Sequence, residues 1–190
     1  MKIIQIGCND GKDHVFKYVL ENVNNIEDLY LIDANKNCVE ACKEQYKNIE
    51  GITYLHYAIT FSDEEFVDLC IPNNNETTSG HSSLIEDHLK GHNYFNYRKE
   101  KVPAKNINKL FQELNLKIID RLYIDTEGLD VDIVNNIDFD QIEIKFLMFE
   151  YIHSDGTLTW GGGKLQKCLN RLESLGYSIS KEEYNVIAQK

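Results

Sequence analysis

Positive charge is scarce in this chain. Against 31 aspartates and glutamates stand only 20 lysines and arginines, a formal net charge of -11 over 190 residues. Phosphate backbones and anionic lipid surfaces repel such a surface unless a local basic patch offsets it. The nearest thing to a patch, Lys99, Lys101 and Lys105, is interrupted by Glu100. Neither a nucleic-acid partner nor a membrane partner is expected. Long apolar runs are missing too, so no segment reads as a bilayer-spanning helix. No charged-then-apolar leader stands ahead of the first strand. The 5 cysteines are odd in number and form no CxxC pair, and Cys38 and Cys42 read as small buried apolar residues on one helix face. These features together predict a reduced, cytoplasmic protein.

What is present is an alternation of apolar strands and amphipathic helices. Ile3-Ile4-Gln5-Ile6-Gly7-Cys8-Asn9-Asp10-Gly11 reads as a strand buried on both faces that runs into a tight turn. Asn9 suits a left-handed conformation, and Asn9 or Asp10 suits the cap of the next helix. That helix carries Val15, Phe16, Val19, Leu20 and Val23 as one apolar stripe. Further strands are predicted at Leu29–Asp33, Ile52–Ala58, Leu122–Asp125 and Ile144–Glu150, with helices marked by Val39, Cys42 and Tyr46, by Ile107, Leu110, Phe111 and Leu114, and by Leu129, Ile133 and Ile137.

After the third strand, Ile59 to Pro72 reads as an inserted hairpin turning at Ser62-Asp63-Glu64, and Val102-Pro103-Ala104 as a short edge segment. Asn73 to Lys99 is the least regular stretch, opening on loop chemistry from Asn73 to Gly80. Residues 73–100 are therefore an insertion and a candidate acceptor lid. A last helix over Leu165 to Leu175 closes on Gly176, and a hairpin around Lys181-Glu182-Glu183 ends the chain. The pattern predicts one α/β domain over residues 1–190. Its architecture is a mostly parallel seven-stranded Rossmann-like sheet with helices on both faces and an antiparallel C-terminal hairpin.

In such sheets a ligand lies beyond the carboxyl ends of the strands, where strand order reverses. Three carboxylates fall at strand ends: Asp33, Asp125 and Glu150. Asp33 follows Gly11 by 22 residues, near the about 20 expected for an acid that binds ribose hydroxyls. A dinucleotide fingerprint G-x-G-x-x-G begun at Gly7 fails at Asn9 and Lys12. Asp10 and Asp13 in the same turn would repel a pyrophosphate. They suit a ligand carrying a sulfonium and an ammonium, which favours S-adenosylmethionine over NAD.

Ile4-Gln5-Ile6-Gly7-Cys8-Asn9-Asp10-Gly11, then Ile32-Asp33-Ala34-Asn35, Ala58-Ile59 leading to Ser62-Asp63, and Tyr123-Ile124-Asp125-Thr126-Glu127-Gly128 together resemble FkbM-type methyltransferases. Ser82-Ser83-Leu84 and Phe149-Glu150 are similar to that family's later blocks. The resemblance runs in order along nearly the whole chain, and the block beginning Ile124-Asp125 is its most specific piece. It implies a class I S-adenosylmethionine fold and, usually, O-methylation of a sugar or polyketide-derived hydroxyl. Gly7, Asn9 and Gly11 would then line the methionine part of the donor, Asp33 its ribose, and Ala58 and Ile59 its adenine. Gln5 and Asp10 in the first block and Ala34 in the second join the donor-binding set, as does Asp125. The family often has helical material before the first strand, where this sequence has almost none.

For a hydroxyl acceptor the reaction needs positioning and removal of one proton. Asp125 is the candidate that orients or deprotonates the acceptor. Glu127 is the candidate partner of the methionine ammonium or of the same network, and His153 is a second candidate base. The acceptor is expected to be a small molecule or a glycan. Some O-methyltransferases of this fold use a divalent ion, for which Asp125 and Glu150 are available, but the sequence indicates no metal. His88 and His92 have i,i+4 spacing, yet Gly91 between them weakens a helix, so with His81 they are read as part of the acceptor lid rather than a zinc site. Two rivals carry less of the pattern: an NAD-dependent oxidoreductase and a non-catalytic S-adenosylmethionine-binding module. With only Pro72 and Pro103 as prolines, the chain has neither the N/D-P-P-Y/F block of base amino-methylases nor the Pro-Cys loop of base C5-methylases.

Overall fold

In a computed structural model, which describes residues 1–73, 78 and 80–190, β1 (Lys2–Ile6) is the strand about which the chain changes direction. β2 (Asp28–Asp33) and β3 (Ile52–His56) are added outward on one side of it, and β7 (Ile118–Ile124) and β8 (Glu143–Glu150) on the other, all parallel. β10 (Asn185–Gln189) pairs antiparallel with β8, and β9 (Ser178–Glu182) pairs antiparallel with β10. The order is β3-β2-β1-β7-β8-β10-β9, the seven-stranded sheet with an antiparallel terminal hairpin that the pattern predicts.

The unbroken apolar run of β1 has a simple cause: both faces of the sheet are covered. Ile3 packs with Val15 and Val19 of α1 (His14–Asn22) and with Cys42 of α2 (Lys36–Gln45). Ile4 and Ile6 point the other way, into a core shared by α4 (Ile107–Glu113), α5 (Asp130–Asn135) and α6 (Gly163–Ser174). α6 ends in a Schellman arrangement in which Gly176, at φ +87°, donates to Glu173 O (2.9 Å) and Tyr177 donates to Leu172 O (3.1 Å). All five cysteines are buried and none is in a disulfide.

The stretch after β3 differs from its expected form. β4 (Ala58–Thr60) and β5 (Phe66–Pro72) do not pair with each other, because β6 (Tyr97–Asn106) lies between them. β4 runs parallel to β6 and β5 antiparallel to it. What looked like an inserted hairpin is thus two strands of a separate three-stranded sheet, whose central strand was read as a short edge segment. Pro103 misled that reading, since proline is normally kept out of central strands. Here Ala104 N donates toward β5, to Glu65 O at 2.8 Å. The alternation of the backbone therefore turns the Pro103 nitrogen to the other side, where β4 begins to pair only at Ala104. No ladder bond is lost.

Within 73–100 the chain also forms α3 (Glu86–Gly91). Of the stretch from Asn73 to Gly80 read as loop, residues 74–77 and 79 lie outside the described residues. No helix among the described residues is long and apolar enough to cross a membrane.

Candidate active site

The strand-order reversal at β1 opens a cleft beyond the carboxyl ends of β1, β2 and β7. At its floor Gly7, with φ +79°, donates to Ile32 O (2.8 Å), while Asp125 N donates to Ile6 O (2.9 Å). A Cβ on Gly7 would stand 1.6 Å from the Asp125 carbonyl oxygen, so only glycine lets β1 turn this close to β7. Asn9 takes the expected left-handed conformation, at φ 46°.

The Asp33 carboxylate accepts one bond per oxygen, from Asn9 N (2.9 Å) and Asn35 N (2.8 Å). Each oxygen keeps acceptor capacity toward the cleft it lines. Burial pushes its pKa up to about 6 against the pull of these backbone donors. Ala34, Ala58, Ile59, Leu69 and Leu84 form an apolar wall beside it. Asp125 and Glu127 line the same cleft. Asp125 opens onto the cleft, but enclosure by the surrounding protein, with the charges of Asp130 and Glu127, holds its carboxyl well above the usual range. Burial likewise raises Glu127 to about 7, opposed by His81.

The loop after β7 is built by Asp130, a residue whose importance the sequence pattern did not reveal. Its buried carboxylate accepts from Thr126 N (2.9 Å), Thr126 Oγ1 (3.1 Å) and Gly128 N (3.2 Å). Ser83 ties the insertion to this loop, with Oγ donating to Glu127 O at 2.7 Å and its backbone paired with Cys70.

The expected donor-binding set divides. Gly7, Asn9, Asp33, Ala34, Ala58, Ile59 and Asp125 line the cleft, as does Glu127. Gln5, Asp10 and Gly11 do not. Gln5 is buried and donates through Nε2 to Asp13 Oδ2 (2.5 Å). Asp10 is paired with Lys12 (2.8 Å). Gly11, at φ +72°, packs against α2, where a Cβ would meet Tyr46 Cε2 at 2.9 Å and Cys42 Sγ at 3.0 Å. The helix cap is neither Asn9 nor Asp10 but Asp13, which accepts from Val15 N (2.9 Å) and Phe16 N (3.1 Å). The carboxyl groups that line the cleft are Asp33, Asp125 and Glu127, not Asp10 and Asp13, from which the preference for a cationic ligand was argued. Cys38, Tyr57, His81, Ser82, Thr126 and Leu129 line it as well. Only the fold brings them there.

His153 and Glu150 lie together outside the cleft wall. His153 is buried, its Nε2 is 3.7 Å from Glu150 Oε2, and it shares a neighbouring hollow with His88 and Gly128. Burial and the adjacent imidazoles lower His153 to about 4, while burial and the cleft carboxylates, Asp125 first, raise Glu150 to about 9. Near neutrality both are uncharged.

The model of the methyltransferase FkbM domain matches residues 5–179. No curated protein matches the sequence. Among solved structures, the methyltransferase FkbM from Methylobacillus flagellatus is similar over 100% of this chain at 11% identity and a TM-score of 0.57. This chain covers 43% of that protein's length. A SAM-dependent methyltransferase from Aquifex aeolicus (10% identity, TM-score 0.45) is matched over 99% of this chain and 80% of its own. Aeropyrum pernix fibrillarin with natively bound S-adenosyl-L-methionine (9% identity, TM-score 0.45) is matched over 98% and 64%. The family match spans the strand-end cleft and both loops that carry its carboxylates, and the chain belongs to the FkbM family of S-adenosylmethionine-dependent methyltransferases.

Proposed function

We propose that the protein transfers the methyl group of S-adenosylmethionine to a hydroxyl of a sugar, polysaccharide or natural-product acceptor. The observation that carries this reading is the lining of one cleft by Asp33, Asp125 and Glu127 beside an apolar wall. The donor supplies a methyl group already activated on a sulfonium. Asp33, fixed by two backbone donors, accepts from the ribose hydroxyls, each such charge-assisted bond contributing about 1.5–3 kcal/mol. Ala34, Ala58 and Ile59 take the adenine. Glu127 faces the ammonium, and Asp125 orients the acceptor and takes its proton. A cationic ligand returns these raised carboxyls to the ionised form.

The acceptor is a small molecule or a glycan, held under the segment 73–100 as a lid. Buried cysteines outside any disulfide support a cytoplasmic setting. Calorimetry with S-adenosylmethionine, S-adenosylhomocysteine and NAD tests the donor, with binding of the first two and not the third expected. Turnover with a panel of hydroxyl acceptors tests catalysis. Asp125→Asn should lower turnover at least about 100-fold. Full turnover with unchanged donor affinity in that variant would refute the base assignment.

A further inference from the structure

Four imidazole rings meet beside Glu127. The centroids of His81 and His92 are 5.1 Å apart, His88 lies 4.7 Å from His92 and 4.4 Å from His153, and His92 is 5.1 Å from His153. Both ring nitrogens of His88 and Nε2 of His92 are buried without a hydrogen bond. His88 Nε2 is 2.8 Å from Glu127 Oε2 but lacks the alignment of a donor to an acceptor. Folded proteins rarely leave so many buried polar atoms unsatisfied in one place, and an ion accounts for them.

We propose that His81, His88 and His92 bind a divalent transition-metal ion of the zinc class. The ligand atoms of the three histidines lie within 4.8 Å of one another, as do those of His88, Glu127 and His153. Around zinc, donor atoms bonded at about 2.0–2.1 Å sit about 3.4 Å apart, a difference that small ring rotations close. Three imidazoles select a zinc-class ion over magnesium or calcium.

His153 is excluded by its tautomer. Its Nδ1 accepts from Leu158 N at 3.1 Å, which leaves the ring proton on Nε2, toward Glu150. It is a donor rather than a ligand. Gly91, read as weakening a helix between His88 and His92, is the last residue of α3, and His92 is its C-cap. A Cβ there would come 2.5 Å from Thr157 Cγ2, so its role is close approach to the 151–159 loop. Because His81 also lines the donor cleft, an ion held by three imidazoles would keep its fourth position for a ligand from that side. An acceptor hydroxyl bound at that position would be polarised, and its proton would pass to Asp125. This role rests on the methyl-transfer reading, whereas binding of the ion does not.

The test uses the purified full chain after chelation, titrated with Zn2+ and, for its ligand-field absorption, with Co2+. S-adenosylmethionine affinity is measured on the same samples. Saturable stoichiometric binding with a nitrogen-rich Co2+ spectrum is expected. His88→Asn and His92→Asn should each weaken it about tenfold or more, while His153→Asn leaves it within about twofold. If His88→Asn fails to fold, the partly exposed His92 carries the test. Absent saturable binding, undiminished affinity in His92→Asn, or an equal loss in His153→Asn overturns the proposal. Failure of S-adenosylmethionine to bind the metal-loaded wild type would instead refute the methyl-transfer reading, and with it the ion's catalytic role.

Discussion

A side chain on Gly7 has nowhere to go, since its Cβ would penetrate the backbone of Asp125, at 1.6 Å from the carbonyl oxygen. Gly51 has a similar φ of +79° but nothing within 4 Å of its missing Cβ. The two glycines separate conformational strain from collision. Gly51→Ala should cost about 1–2 kcal/mol, the strain of a left-handed residue alone. Gly7→Ala should cost upward of about 3 kcal/mol and abolish donor binding, because separating the β1 and β7 ends displaces Asp125 and the Asn9 N–H that holds Asp33 at the end of β2. Urea unfolding of both variants, with donor calorimetry, checks the difference. That Gly7 mattered was legible in the chain, because a glycine directly after a buried strand has few other uses. Gly11 looked equivalent in the sequence. What distinguishes them is the approach of α2, which no local pattern encodes.

At the scale of elements, α1 shows how a correct helix was read with the wrong cap. Asn9, Asp10 and Asp13 are all competent capping residues, and the turn's length decides among them. Gly11 N bonds Cys8 O at 2.9 Å, so the chain is still turning there and the helix opens only after Asp13. Asp13→Ala removes the bonds to Val15 N and Phe16 N and leaves buried Gln5 Nε2 without its acceptor. A loss of about 1–2 kcal/mol is expected from the cap, somewhat more with Gln5, measured by urea unfolding. Asp10→Ala, which removes an exposed pair with Lys12 Nζ and a turn bond from Lys12 N (3.1 Å), should cost less than Asp13→Ala, at about 0.5 kcal/mol. The paired strands β5 and β6 escaped the sequence for another reason. Their partners are separated by 24 residues and more, and apolar alternation identifies a strand without naming its neighbour.

Across the whole molecule, carboxylates gather where the sheet's strands end, and their protonation links stability to pH. The folded-state values of Asp33, about 6, and Glu150, about 9, lie above those of the unfolded chain, about 4. The native state therefore holds protons that the unfolded chain has released. Their stabilising contribution is fully present below about pH 4 and is lost as pH rises through about 6 and then about 9. Scanning calorimetry of the ligand-free protein should show Tm falling between about pH 4 and pH 9, the Asp33 part being complete by about pH 6. Glu150→Gln should flatten the upper part of that fall. A cationic donor in the cleft should offset the part due to Asp33, because it favours the ionised carboxylate.

The order of strands and helices, the parallel sheet and the glycine turn followed by Asp33 were all determined by the chain itself. Burial on two faces, helical periodicity and a backbone that must turn sharply each leave a local mark. Tertiary structure alone decided which carboxylates line the cleft, because Asp10, Asp13, Asp33, Asp125 and Glu127 have the same chemistry and differ only in where the folded backbone points them. It also decided the meeting of His81, His88 and His92 with Glu127. Sequence spacing relates residues within one element, whereas this cluster joins a loop and α3 to the loop after β7, across the sequence gap between His81 and Glu127 that only folding closes.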